Sequence, residues 1–210
     1  MPQDNISAPP RAAAPVRIVA IAGVPGSGKT TLATRTAALA GDAALLFFDG
    51  FEALTAMPPG ALSAWHAEGA DFSRFQVAGL AEALAALKAG RPAREAASGR
   101  IVAPAPLVLF EMPLGRAFPP ARPFIDFLVW LDTPLDVALA RNLAAFASQN
   151  DDPPAEWLAG YAHNYVTAAR PVLLAQKAAV APGADLVLDG TQSPESLAQA
   201  LFAAINDTKS

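Results

Sequence analysis

Short blocks of apolar residues recur along the chain, with stretches rich in alanine and leucine between them. Residues 16–22 read Val-Arg-Ile-Val-Ala-Ile-Ala and run into a glycine. An almost unbroken apolar block of this length predicts a strand buried on both faces. Residues 30–40 follow as a helix ended by Gly41, and residues 43–48 predict a second buried strand, closed by Asp49-Gly50. Residues 106–111, 124–131 and 184–188 predict the third, fourth and fifth strands. Helices are predicted over 77–89, from 133 to about 149, from 155 towards 169, and from Ser193-Pro194-Glu195 onward. Thr133 is suited to cap its helix, Pro134 to take the first position, and Asp136 to sit at the positive end of the dipole. Residues 51–75 are irregular, with Pro58-Pro59-Gly60 marking a turn, and residues 91–104 read as a loop or short hairpin. Strands alternating with helices predict an α/β fold whose sheet is mainly parallel and covered on both faces. Residues 1–15 read as a flexible arm and residues 16–210 as a single domain, with no internal repeat or linker.

Composition narrows the class. The chain has 210 residues, a net charge of −4 and no cysteine. That size supports one well-filled core. The lack of cysteine excludes a disulfide framework and a thiolate metal site. The acidic balance speaks against nucleic acid as a partner, and no apolar stretch is long enough for a membrane span. No signal-peptide segment is evident near residue 1, so a cytoplasmic location is expected.

The segment Gly23-Val24-Pro25-Gly26-Ser27-Gly28-Lys29-Thr30 matches Gly-x-x-x-x-Gly-Lys-Thr at every fixed position. Its glycines let successive N–H groups turn inward onto a phosphate, and the helix that begins there adds its positive pole. Lys29 can reach the β- and γ-phosphates, and the Thr30 hydroxyl can ligate Mg²⁺. The flanking strand and helix set the loop apart from a chance glycine-rich turn. Gly23 to Thr31 is therefore the expected nucleotide site. A GTPase would carry Asn-Lys-x-Asp for the guanine base, and the chain has none. A motor-type ATPase would end a strand in Asp, whereas residues 107–110 lead into Glu111. What remains is a kinase of a small molecule, with an acid near the acceptor hydroxyl and cations around the γ-phosphate.

Ligands of open parallel sheets lie off the carboxyl ends of the strands. Asp49 and Glu111 both fall at that edge. Asp49 can take the proton of an attacking hydroxyl, or simply form a turn before Gly50. Glu111 can hold a metal-bound water or a substrate hydroxyl, because a carboxylate left unpaired at a strand end is costly. Asp132 also follows a strand, but starting a helix accounts for it. Arg141 can swing over the phosphates or remain a solvated helix charge. Arg116, in the loop after Glu111, is a candidate clamp for a phosphate or an anionic acceptor. His66 and Trp65 lie in the irregular segment, where an acceptor would be bound. His163 and Tyr161 read as packing or surface.

In its order of motifs the chain resembles the uridine kinase and phosphoribulokinase family of P-loop kinases. Phe47-Phe48-Asp49-Gly50-Phe51 resembles the family's Asp-x-Phe segment, and Gly69-Ala70-Asp71-Phe72 its acceptor-side region. Leu87-Lys88-Ala89-Gly90 resembles the end of the helix that follows, and Val108-Leu109-Phe110-Glu111 the strand ending in Glu-Gly. Asp136-Val137-Ala138-Leu139-Ala140-Arg141 resembles the lid helix. Residues 165–171 and 184–188 resemble the closing segments. The resemblance implies a P-loop three-layer sandwich with a five-stranded parallel sheet of order 2-3-1-4-5. It implies ATP-dependent phosphorylation of a small-molecule hydroxyl with Mg²⁺, with Asp49 as base and Lys29 and Arg141 balancing phosphoryl charge. His66, Phe72, Glu111 and Arg116 join Asp49 as candidates on the acceptor side, and Thr30 with Glu111 as candidates for the metal. Family lids carry several arginines, whereas Arg141 is followed by Asn142-Leu143-Ala144-Ala145-Phe146. A nucleotide-binding regulatory or assembly protein with little kinase activity is therefore the alternative. A homo-oligomer stays open.

Overall fold

A computed structural model of the chain describes residues 15–51, 68, 71, 77–149 and 154–207. Five parallel strands form the central sheet: β1 (Arg17–Ala22), β2 (Ala43–Phe47), β5 (Leu107–Glu111), β6 (Phe127–Asp132) and β7 (Leu186–Asp189). Their order is β2-β5-β1-β6-β7, and two further strands, β3 (Ala93–Arg94) and β4 (Ile101–Val102), form a separate antiparallel hairpin. With the hairpin set aside, this is the expected order 2-3-1-4-5. The residues read as loop or hairpin are a hairpin.

The helices are α1 (Lys29–Ala40), α2 (Leu80–Lys88), α3 (Leu135–Ala147), α4 (Ala155–Asn164), α5 (Arg170–Val180) and α6 (Pro194–Asp207). Side chains alternate across a strand, so β1 feeds two cores. Ile18, Ala20 and Ala22 pack on one face with Leu84, Leu87, Phe118 and Trp130. Val19 and Ile21 pack on the other with Leu32, Leu201 and Ile205. The three inner strands, β1, β5 and β6, are buried on both faces, which explains why they read as continuous apolar blocks.

Three local readings change. Helix α3 begins at Leu135 with Pro134 as its cap, and Thr133 makes no capping bond. The Thr133 hydroxyl donates instead to the Ser27 carbonyl, 3.2 Å away. The helix expected to stop near residue 169 continues: a π-helical turn, Tyr165–Ala169, leads into α5. Pro171 lies in the first turn of α5, where a missing N–H is tolerated. The helix expected over 77–89 is confined to Leu80–Lys88. Among the described residues, no helix is long and apolar enough to cross a membrane.

Candidate active site

β1 delivers the chain to the carboxyl edge of the sheet at Ala22, and residues 23–28 turn back into α1. Gly26 has φ of 78°, a left-handed value that side chains disfavour, and a Cβ there would lie 2.3 Å from the Ala138 carbonyl oxygen. The loop is thus shaped for glycine by its own torsion and by the close approach of α3. The Ser27 amide donates to the Val24 carbonyl at 3.1 Å and closes the turn.

Lys29 opens α1 and is almost fully buried. Its ammonium donates to the Val24 carbonyl at 3.1 Å and lies 3.7 Å from Glu111 Oε1. Burial pulls its pKa below that of a free lysine, and the charges of Glu111 and then Asp49 work against that shift. The other Glu111 oxygen accepts the Thr30 hydroxyl at 2.7 Å. Strand register explains the meeting: Glu111 pairs with Ile21 on one side and Phe47 on the other. It stands between the stem of the P-loop and the turn that carries Asp49. That turn is a short 3-10 segment, Phe48–Gly50, in which Asp49 is exposed between buried neighbours.

An open cleft of about 560 Å³ joins these groups, with Lys29, Thr30, Asp49, Glu111, Arg141 and Asn142 among its walls. A smaller cavity of about 200 Å³ adjoins it and shares Gly28, Thr31 and Arg141. Its remaining walls include Leu32, Leu197, Gly190 and Gln192. The loop glycines and helix N-terminus suit a phosphate chain. The smaller cavity, apolar on one wall with polar backbone on another, suits a nucleotide base. Ser27 lines it, and the buried Ser27 Oγ has no hydrogen-bond partner among the described residues.

Arg141 stands between the two spaces. Its guanidinium donates to the Ser27 carbonyl at 3.3 Å and the Gly190 carbonyl at 3.0 Å. Arg116 is placed elsewhere, which corrects its reading as a phosphate clamp. It donates to the Gly183 and Asp126 carbonyls at 3.1 and 3.3 Å and pairs with Asp185 at 2.7 Å. Those residues precede β7 and β6, at the opposite edge of the sheet. The chain after β5 descends past the sheet before β6 begins and carries Arg116 with it. His66 and Phe72 lie outside the described residues. Asp132, set aside as a helix-start residue, pairs with Lys177 at 2.7 Å and accepts from Trp130 Nε1 at 3.2 Å.

One residue of this region carried no sequence signal. Gln176, buried on α5, donates from Nε2 to the carbonyls of Pro113 at 2.7 Å and Gly23 at 3.3 Å. A lone glutamine on a long helix gives no hint of such a partner.

No protein-family model matches the chain, and no curated protein matches it in sequence. Solved structures do match in fold. A possible uridine kinase from Bacillus stearothermophilus aligns with TM-score 0.55 at 18% identity, over 86% of this chain and 92% of that one. A putative fructose transport system kinase from Silicibacter sp. TM1040 aligns with TM-score 0.55 at 20% identity, over the same shares, 86% and 92%. Shikimate kinase from Acinetobacter baumannii, solved with shikimate, aligns with TM-score 0.53 at 21% identity, over 92% and 95%. The chain shares the fold of these kinases.

Proposed function

We propose that the protein is an ATP-dependent kinase that transfers the γ-phosphate to a hydroxyl of a small molecule. The observation that carries this reading is one cleft lined by Lys29, Thr30, Asp49 and Glu111, on a P-loop kinase fold. The phosphates lie along residues 23–31, and the base fills the cavity beside Leu197 and Gln192. Thr30 and Glu111 offer adjacent hard oxygen donors, a set that would hold Mg²⁺. When bound, Mg²⁺ neutralises charge on the phosphates. Asp49 takes the proton of the acceptor hydroxyl as its oxygen bonds to the γ-phosphorus, and the bond from that phosphorus to the bridging oxygen breaks to release ADP. Lys29 and Arg141 face the charge that builds on the phosphoryl oxygens.

The test is ADP release with Mg²⁺ and ATP across nucleosides, sugars, sugar phosphates, pantothenate-like alcohols and hydroxy acids such as shikimate. With the acceptor so found, Asp49→Asn is expected to lower kcat by about 10²- to 10⁴-fold, the range for a lost general base, while ATP affinity holds. Full turnover in that variant removes Asp49 as the base. The second reading, a nucleotide-binding protein with little transfer activity, draws on Arg141 being engaged by two backbone carbonyls. ATP binding without transfer to any acceptor would favour it.

A further inference from the structure

Glu95 lies on the β3–β4 hairpin, outside every motif in the sequence, and is only 2% exposed. A carboxylate so deep needs partners, and it has them. Ser98 Oγ donates to Oε2 at 2.6 Å, and Arg100 Nε donates to the same oxygen at 3.0 Å. A second Arg100 nitrogen pairs with Oε1, which also accepts the Phe47 amide at 3.4 Å. Burial pushes the Glu95 pKa up, but these hydrogen bonds outweigh it and leave the group below its ordinary value, hence ionised.

The same cluster reaches the turn that carries Asp49. The Gly50 carbonyl accepts the Ala97 amide at 2.7 Å and the Ser98 amide at 3.1 Å. Gly50 has no room for a side chain, because a Cβ there would lie 2.5 Å from the Glu95 carboxylate. Arg100 also donates to the Leu45 carbonyl at 3.0 Å, and its guanidinium lies over the Phe47 ring, 5.1 Å from the centroid. The end of β2 and the turn after it are therefore gripped from one side, with Asp49 facing the cleft on the other.

We propose that Glu95 is a positioning residue: through Arg100 and Ser98 it clamps the hairpin onto the Phe48–Gly50 turn and so sets where the Asp49 carboxylate stands relative to the γ-phosphate. This rests on the reading of Asp49 as base. The clamp touches neither the P-loop nor the base cavity, so its loss moves catalysis and leaves nucleotide binding alone.

The test uses the full chain with Glu95→Gln and, separately, Gly50→Ala, whose methyl pushes the carboxylate away. Readouts are titration with a fluorescent ATP analogue, ADP release with the acceptor found above or with water, and amide hydrogen exchange. Each variant is expected to lower kcat about tenfold to hundredfold, as a displaced reacting group does, with nucleotide affinity unchanged. Exchange at Phe48 to Phe51, Ala97 and Ser98 should quicken while exchange in the P-loop stays as in the wild type. In an Asp49→Asn background Glu95→Gln should bring no further loss, since both act through one carboxylate. Unchanged kcat, a parallel fall in nucleotide affinity, or the same fold-loss repeated without Asp49 would each overturn the proposal. Failure of the base reading shows separately, as full turnover in Asp49→Asn alone. Where neither acceptor nor water supports turnover, exchange decides: faster exchange confined to the turn and hairpin supports the clamp, and unchanged exchange sinks it.

Discussion

Asp185 is pulled two ways. Burial raises its pKa, but hydrogen bonds from Arg116 and the Leu128 amide, with the Arg116 charge, more than offset this and hold it below its ordinary value. A carboxyl whose folded pKa is depressed lends stability above its unfolded value, about 3.9, and loses it as pH falls through the folded one. Arg116→Met should therefore lower Tm near neutral pH by about 1–4 °C, corresponding to roughly 0.5–1 kcal/mol once solvent screening of so exposed a pair is allowed for. The gap to the wild type should narrow as a thermal melt is repeated towards pH 3. ATP affinity should not change. A loss of ATP affinity in this variant would return Arg116 to the active site. The sequence places Arg116 in the loop after Glu111 and so suggests the same edge; it says nothing of how far the chain descends before its next strand. Asp49 and Glu111 were legible because the one lies just past a strand and the other ends one, where the edge is given by topology. Glu95 was not, since its meaning lies in contacts with Phe47 and Gly50 from far along the chain.

Behind the P-loop, three elements hold the backbone that would grip phosphates. Thr133 and Arg141 both donate to the Ser27 carbonyl, and Gln176 donates to that of Gly23. The α5 helix is thereby tied to the first residue of the loop and to Pro113 beyond β5. Gln176→Met keeps the length of the side chain but leaves two carbonyls without their donor. A cost of about 1–3 kcal/mol is expected, read as a lower Tm, together with weaker ATP binding by titration. Normal ATP affinity in that variant would show that the loop holds its shape without α5. At this scale the sequence was most informative. Each strand block, the loop between β1 and α1, and the last helix with its Ser193 cap are local patterns, and Ser193 Oγ does accept the Ser196 amide at 3.2 Å. The joining of α4 to α5 was hidden because nothing local in residues 165–169 announces the π-helical turn that carries the chain on to Arg170.

Among the described residues one five-stranded sheet is shared by two cores, so a ligand that ties β1 to β2 and β5 at their carboxyl edge should stabilise both. With Mg²⁺ and ATP at a hundred times Kd the gain is about 2.7 kcal/mol, which a thermal scan should show as a rise of roughly 5–10 °C. No rise would count against nucleotide binding itself. The sheet order was legible through the resemblance. The packing of α1 against α6 was not, because nothing local in either helix names the other. Arg17, at the start of β1, donates to the Ile205 carbonyl near the end of α6 at 2.5 Å. The earliest described strand and the latest described helix are thus neighbours. During synthesis β1 leaves the ribosome long before β5 and β6, its two flanking strands, and its Val19–Ile21 face waits longer still for α6. The loop after β1 therefore gains the neighbours that fix its shape only once β5, β6 and α6 have been made, and until then the nascent chain carries an apolar strand without its flanking partners.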